Sequence, residues 1–236
     1  MTTTSIRTAE IKILASNGVR EALLELAPAF ERETGHKLVI GFGLAAALKR
    51  QIEAGEAFDL AILTSSGIED LAKQGKVDAG SRASIARSGV GIGIRKGAPR
   101  PDIGTADAFK RTMLSAKSIA WAKEGASGVY FAGLLERIGI AGEMKPKAVV
   151  ASSGDVVGKL VADGEVQFGV ILVNELMAAP GVEVLGPLPA ELQNYTVFHA
   201  GVGVGSKDSA AAKALIKFLT TPAAGAVFKA KGQEPG

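Results

Sequence analysis

The stretch Ile11–Phe30, IKILASNGVREALLELAPAF, reads as a buried strand that empties through a small-residue turn into an amphipathic helix. Val19, Leu23, Leu26, Ala27 and Phe30 recur at helical spacing, so a helix is expected to begin near Gly18, with first-turn N–H groups that the helix itself leaves unpaired. Those donors and the positive end of the helix dipole suit an anion, which makes Ser16, Asn17 and Gly18 candidate ligand positions. The same residues also fit a simpler role, with Asn17 capping the helix and Gly18 turning the chain.

Working outward, the unit repeats. Lys37–Phe42 (KLVIGF) is a second strand, and Leu44–Ala54 a second helix with Leu44, Leu48 and Ile52 on one face. Leu60–Leu63 (LAIL) is a third strand, followed by a helix over Ser66–Gln74 that Gly75 stops. Strands alternating with helices imply a mainly parallel sheet flanked by helices. The turns Ser16–Gly18, Gly43–Ala47 and Thr64–Gly67 then reach one edge of that sheet, where ligands of α/β proteins bind, and add Ala45, Ala46 and Ser65 to the candidates.

Farther along, SGVGIGIRKG (Ser88–Gly97) and GVGVG (Gly201–Gly205) alternate glycine with branched residues. That is a strand's period of two, not the turn of a dinucleotide-binding fingerprint. The two runs read as crossover strands of a two-lobed α/β protein, or as glycine rows that each seat a helix. Between them lies a second set: a helix over Pro101–Leu114 with Thr105 as cap, a strand Ser118–Ala122, the loop KEGASG (Lys123–Gly128), and a helix Val129–Ile138. A strand Lys147–Ser152, a helix Asp155–Ala162 and a strand Val166–Leu172 come next, so that Ser127 and Val156 mark two further helix N-termini. Two last helices, Ser209–Leu219 and one opened by Thr221-Pro222, return to the first lobe. The expected domains are 11–87 with 200–236 as lobe I, and 88–199 as lobe II.

Composition limits the chemistry. The 236 residues are 47% hydrophobic and carry a net charge of +3, with basic residues spread along the chain, which argues against nucleic acid and weakly favours anionic partners. There is no cysteine, and the histidines are His36 and His199, so disulfides, thiolate catalysis and a Cys/His metal site are excluded. No GxSxG, Walker loop or other cofactor motif is present, and no metal or cofactor is expected. Met1–Glu10 lacks the apolar core of a secretory signal, and no run of apolar residues is long enough to span a bilayer. A native start at Met1 implies the cytoplasm; a Met1 that replaces a removed signal peptide implies the periplasm.

The order of elements, FGLAAALKRQIEAGEAFDLAIL at Phe42–Leu63 and ASGVYFAGLLERIGI at Ala126–Ile140 resemble the type II periplasmic solute-binding proteins, specifically the molybdate-binding branch. The resemblance covers almost the whole chain. It implies a two-lobed fold with a small anion in the cleft, held by helix N-termini, and an ABC permease as partner if the protein is exported. In that family two serines and a tyrosine hold the oxyanion; here their positions fall on Gly18, on the Ala45–Ala47 run and near Leu172. The backbone amide positions of the family correspond to Ser127 and Val156. Each hydroxyl bond lost to a charge is worth roughly 1.5–3 kcal/mol, which favours a carboxylate ligand over molybdate.

A small group of enzymes, the aconitate isomerases, resembles these binding proteins and moves a proton along an allylic tricarboxylate. That chemistry needs helix N-termini or cations for the carboxylates and one acid–base group within reach of a carbon-bound proton. Lys123 and Glu124 in the KEGASG loop and His199 in VFHAGV are the candidates, against the alternatives of a solvated charge pair and a packed histidine. Arg20, Lys49 and Arg50 offer positive charge, or simply face water. The expectation is therefore a carboxylate-binding solute receptor, with a polycarboxylate isomerase as the alternative.

Overall fold

The computed structural model describes residues 8–236. In chain order the first elements are β1 (Glu10–Ser16), α1 (Arg20–Thr34), β2 (Lys37–Gly43), α2 (Ala45–Glu53), β3 (Leu60–Thr64), α3 (Ser65–Lys73) and β4 (Ala83–Arg95). Next come α4 (Ala106–Ser115), β5 (Ile119–Ala122), α5 (Ala126–Arg137), α6 (Ala141–Met144), β6 (Ala148–Ala151), α7 (Gly154–Ala162), β7 (Phe168–Leu172), α8 (Val173–Ala178) and β8 (Val182–Pro187). The chain closes with β9 (Tyr195–Val202), α9 (Ser209–Leu219), α10 (Pro222–Ala230) and β10 (Glu234–Pro235). These elements form two compact units, residues 8–87 with 197–236 and residues 88–196, and the chain changes unit within β4 and within β9.

In the first unit β1 pairs in parallel with β2 on one side and β3 on the other, and β9 runs antiparallel to β3. Leu14, Ala61 and Leu63 bury one sheet face against Leu48 and Ile52 of α2 and Ile68 and Leu71 of α3. The apolar stripe of α1 meets α9 and α10, where the Phe30 and Phe218 rings pack edge to face at 5.5 Å. Asp59, 7% exposed, staples the loop before β3: its carboxylate accepts from Lys12 N (2.9 Å), Ser206 Oγ (2.8 Å) and Lys207 N (2.9 Å). Burial pushes this carboxyl up, but the hydrogen bonds outweigh it and hold the group below the usual aspartate value.

In the second unit β5 lies between β7 and β6 and pairs with both in parallel, while β4 runs antiparallel to β7 and to β8. The period of two in β5 divides its side chains. Ile119 and Trp121 join Phe109, Met113, Phe131 and Phe168, whereas Ala120 and Ala122 face Val157, Val161 and Leu176.

The glycine rows have a direct cause. A Cβ on Gly93 would lie 2.4 Å from Leu176 Cδ2 and one on Gly91 2.9 Å from Val173 Cγ2, so β4 seats α8. On β9, a Cβ at Gly201 would meet Val77 Cγ1 at 2.5 Å. Three helix starts differ from the sequence reading by two residues or more. Before α1 the chain makes a 310 turn over Asn17–Val19, so the helix starts at Arg20 and not at Gly18. Helix α4 starts at Ala106, because Asp102 Oδ1 takes the Gly104 N–H at 2.8 Å in a local turn and Thr105 then caps the helix. Helix α5 starts earlier than expected, at Ala126. Among the described residues no helix is long and apolar enough to cross a membrane.

Candidate functional site

The β1–β2 register pairs Ser16 with Gly43, and the β1–β3 register pairs Ala15 with Ile62, so the three strands of the first unit end level with one another. Each end opens a helix at the carboxyl edge. At the first turn Ser16, 7% exposed, accepts the Gly18 N–H on its Oγ at 3.3 Å. Ser16 is therefore the cap, and Asn17 is not: its Oδ1 accepts from Arg20 Nη2 at 3.1 Å. The Arg20 guanidinium also lies over the Phe42 ring, 5.2 Å from its centroid, which places it beside the ends of β1 and β2.

Gly18 is enclosed. A Cβ there would stand 2.3 Å from Cζ of Phe198, and the Gly18 carbonyl accepts from Gln233 Nε2 at 3.0 Å. The second turn carries no side-chain oxygen. Leu44 precedes half-buried Ala45 and exposed Ala46 at the start of α2, with no side-chain cap on the helix. At the third turn Thr64 Oγ1 accepts the Gly67 N–H at 3.3 Å, with half-buried Ser65 beside it.

Lys49 is spoken for. Its ammonium bonds Glu53 at 2.7 Å and lies 3.7 Å from Asp70, and the Glu53 hydrogen bond leads the causes that raise its pKa. His199 sits opposite Leu63 in the β3–β9 register, on the sheet face packed by α3. Burial first, and the Arg82 charge second, push its imidazole below the ordinary histidine value, so it is neutral at pH 7.

The second unit repeats the arrangement at the ends of β5, β6 and β7. Ala122 pairs with Ala151, and Trp121 with Val170, so these ends are level too. Lys123 and Glu124 are exposed in the loop that leads to α5, whose N-cap, Gly125, makes no side-chain bond. Ser127 is 4% exposed within the first turn of α5. Val156 is exposed on α7, and its N–H is directed to Ser153 Oγ at 3.4 Å. Helix α8 is absent from the sequence reading. Its Glu175 Oε2 accepts the Leu172 N–H at 3.3 Å and lies 3.2 Å from where a Cβ on Gly154 would be, which puts a carboxylate at the start of α7. A glutamate three residues past a strand end is the signal that could have shown this short helix. No local pattern announces Phe198 or Gln233, which reach the first turn from distant parts of the chain. Among the described residues no three His, Cys, Asp or Glu side chains gather as metal ligands do.

This chain belongs to the bacterial extracellular solute-binding proteins, whose family model matches residues 11–234. It is similar to the aconitate isomerase of a Pseudomonas species, 32% identical over 231 residues that make up 95% of this chain and 87% of the relative. It is also similar to the molybdate-binding protein ModA of Azotobacter vinelandii, at 27% identity over 95% of this chain and 89% of that protein. The solved periplasmic molybdate-binding protein of A. vinelandii shares the fold, with a TM-score of 0.81 and 20% identity over 96% of this chain and 99% of the other. The resemblance carried by Phe42–Leu63 and Ala126–Ile140 thus extends over residues 11–234, and the fold is that of the periplasmic binding proteins.

Proposed function

We propose that this solute-binding protein takes a small polycarboxylate, held by backbone N–H groups at helix starts and by Arg20. The observation that carries the reading is the first turn. Phe198 leaves no room for a hydroxyl-bearing side chain on Gly18, while Arg20 is fixed beside it between Asn17 and the Phe42 ring. A planar guanidinium matches a carboxylate through two parallel hydrogen bonds, and helix-start amides complement the remaining charge. The alanines that open α2 offer the same donors and no hydroxyl. A tetrahedral oxyanion is the poorer match, because it draws on hydroxyl donors around its whole surface. The reading calls for an ABC permease as partner and the periplasm as compartment.

Titration calorimetry with trans-aconitate, citrate, sulfate and molybdate tests it. A polycarboxylate is expected to bind at least about tenfold tighter than either inorganic anion, and Arg20→Ala to weaken that binding by about tenfold to a hundredfold. Molybdate or sulfate binding tighter than every carboxylate overturns it.

A second reading has its own support in the 32% identity to an aconitate isomerase along 95% of the chain. Under it the bound tricarboxylate would turn over, with either a neutral His199 of the first unit or, in the second unit, a carboxylate of Glu124 or Glu175 beside Lys123 exchanging the carbon-bound proton. Following trans- to cis-aconitate conversion by proton NMR separates the two. Turnover lost in His199→Ala, Glu124→Gln or Glu175→Gln with binding kept supports an isomerase, and tight binding with no conversion leaves a receptor.

A further inference from the structure

The carboxyl-terminal segment reaches the first turn from outside its own strand. Gln233 is 3% exposed, and its Nε2 donates to the Gly18 carbonyl across 215 residues of sequence. Its backbone is fixed on both sides. The Gln233 N–H donates to Phe228 O at 2.9 Å, and Glu234 and Pro235 pair with Arg87 and Ala86 of β4. Its side-chain Oε1 is buried with no hydrogen-bond partner. An orphaned amide oxygen lowers stability, so packing alone does not select glutamine here; methionine fills a similar space with no unmet oxygen of its own, at the loss of the donor to the Gly18 carbonyl.

The geometry points to Gln233 as a positioning residue that holds the anion-facing first turn in its binding conformation. Glycine is the residue whose φ and ψ are freest, and at Gly18 both sides are tied: Ser16 Oγ holds the N–H, Gln233 Nε2 holds the carbonyl, and the Phe198 ring covers the Cα. Because the peptide unit is planar, fixing the Gly18 carbonyl fixes the plane that leads into Val19 and α1. The N–H groups at the mouth of the turn are thereby aimed before a ligand arrives, which spares the ordering cost at binding. This inference rests on the reading of that turn as an anion site.

The test pairs titration calorimetry using trans-aconitate with ligand-free thermal melting and amide hydrogen exchange over Asn17–Val19, in wild type and Gln233→Met. The variant is expected to exchange faster at Gly18 and to bind about tenfold more weakly. Gln233→Asn, which keeps the amide but stops short of the Gly18 carbonyl, carries the same comparison if the methionine variant fails to fold. Unchanged affinity and exchange, or a lower melting temperature with unchanged affinity, overturns the assignment and leaves Gln233 as support for α10. Wild-type protein that binds no polycarboxylate removes the reading of the turn and this inference with it, and that result is distinct because it precedes any variant.

Discussion

The turn over Ser16–Val19 and the turn over Lys123–Gly128 both pass a strand into a helix through glycine, but what encloses the glycine differs. At Gly128 a Cβ would lie 1.9 Å from the Ala122 carbonyl oxygen and 2.9 Å from its carbon. The obstacle is the backbone of the strand that feeds the helix. At Gly18 the obstacle is the ring of Phe198, a side chain on β9. One glycine is required by the strand-to-helix crossing itself, and the other by a residue brought in from far along the chain. The second unit's turn is therefore a fixed feature of its fold, whereas the first unit's turn depends on a side chain from another strand.

The largest expected effect comes from this difference. Gly128→Ala should cost about 3 kcal/mol or more in urea unfolding, since no neighbouring side chain can yield to relieve a backbone clash. A cost below about 1 kcal/mol would show that α5 can slide on β5 and would dissolve the contrast. Gly18→Ala should cost about 2 kcal/mol, and in combination with Phe198→Leu the loss should fall at least about 1 kcal/mol short of the sum of the single variants. Strict additivity would mean that Phe198 is not what encloses Gly18.

Acid sharpens the comparison from another side. Asp59 is the one carboxylate among the described residues that is buried, and it belongs to the first unit, as does His199. Both have folded-state pKa values below their ordinary values of 3.8 and 6.5. For each, the unfolded chain binds the proton more readily, so stability falls with falling pH: below about 6.5 for His199, and further below about 4 for Asp59, until each folded pKa is passed. Hydrogen exchange should therefore rise on β1 and β3 before it rises on β5 and β7 as pH is lowered. Asp59→Asn should remove the lower step, measured by urea midpoints between pH 3 and 5, on the order of the acid range of an ordinary carboxylate. Simultaneous loosening of both units would count against this assignment.

The division between what is legible in the sequence and what is not runs along the same line. The strand-to-helix turns Ser16–Gly18, Gly43–Ala47 and Thr64–Gly67 can be read because apolar period and small residues are local signals, and the helix over about Ser209–Leu219 is legible for the same reason. Helix α8 escapes such a reading because VNELMA is too short for a helical period to emerge, although the glycines of β4 that seat it are visible. The start of α1 is misplaced because a 310 turn has the same donors and residue preferences as a helix start. At the candidate site, the residues on the turns can be named, but their partners cannot. Asn17 reads as a cap in sequence, and only the fold shows Ser16 doing that work while Asn17 faces Arg20.

Helix caps give smaller effects. Ser153→Ala, which removes the oxygen that accepts the Val156 N–H, should cost about 1 kcal/mol by thermal melting, and Thr64→Ala at the start of α3 about the same. Equal costs would mark the two units as alike in capping and confine their difference to what encloses the glycines.

The smallest expected change in stability is at Asn17. Its Oδ1 meets Arg20 on a half-buried surface and caps nothing, so Asn17→Ala should shift stability by no more than about 0.5 kcal/mol. A cap would cost about twice that. Asn17→Asp separates the roles further. It keeps an oxygen for the Arg20 guanidinium and strengthens that contact by charge, so melting should hold or rise slightly. The same added charge stands at the mouth of the first turn, where it occupies Arg20 and repels an incoming carboxylate. Affinity for trans-aconitate should then fall by about tenfold or more in Asn17→Asp, the loss being greater at low salt because the repulsion is screened as salt rises. Binding that ignores Asn17→Asp at every ionic strength would place the anion away from this turn.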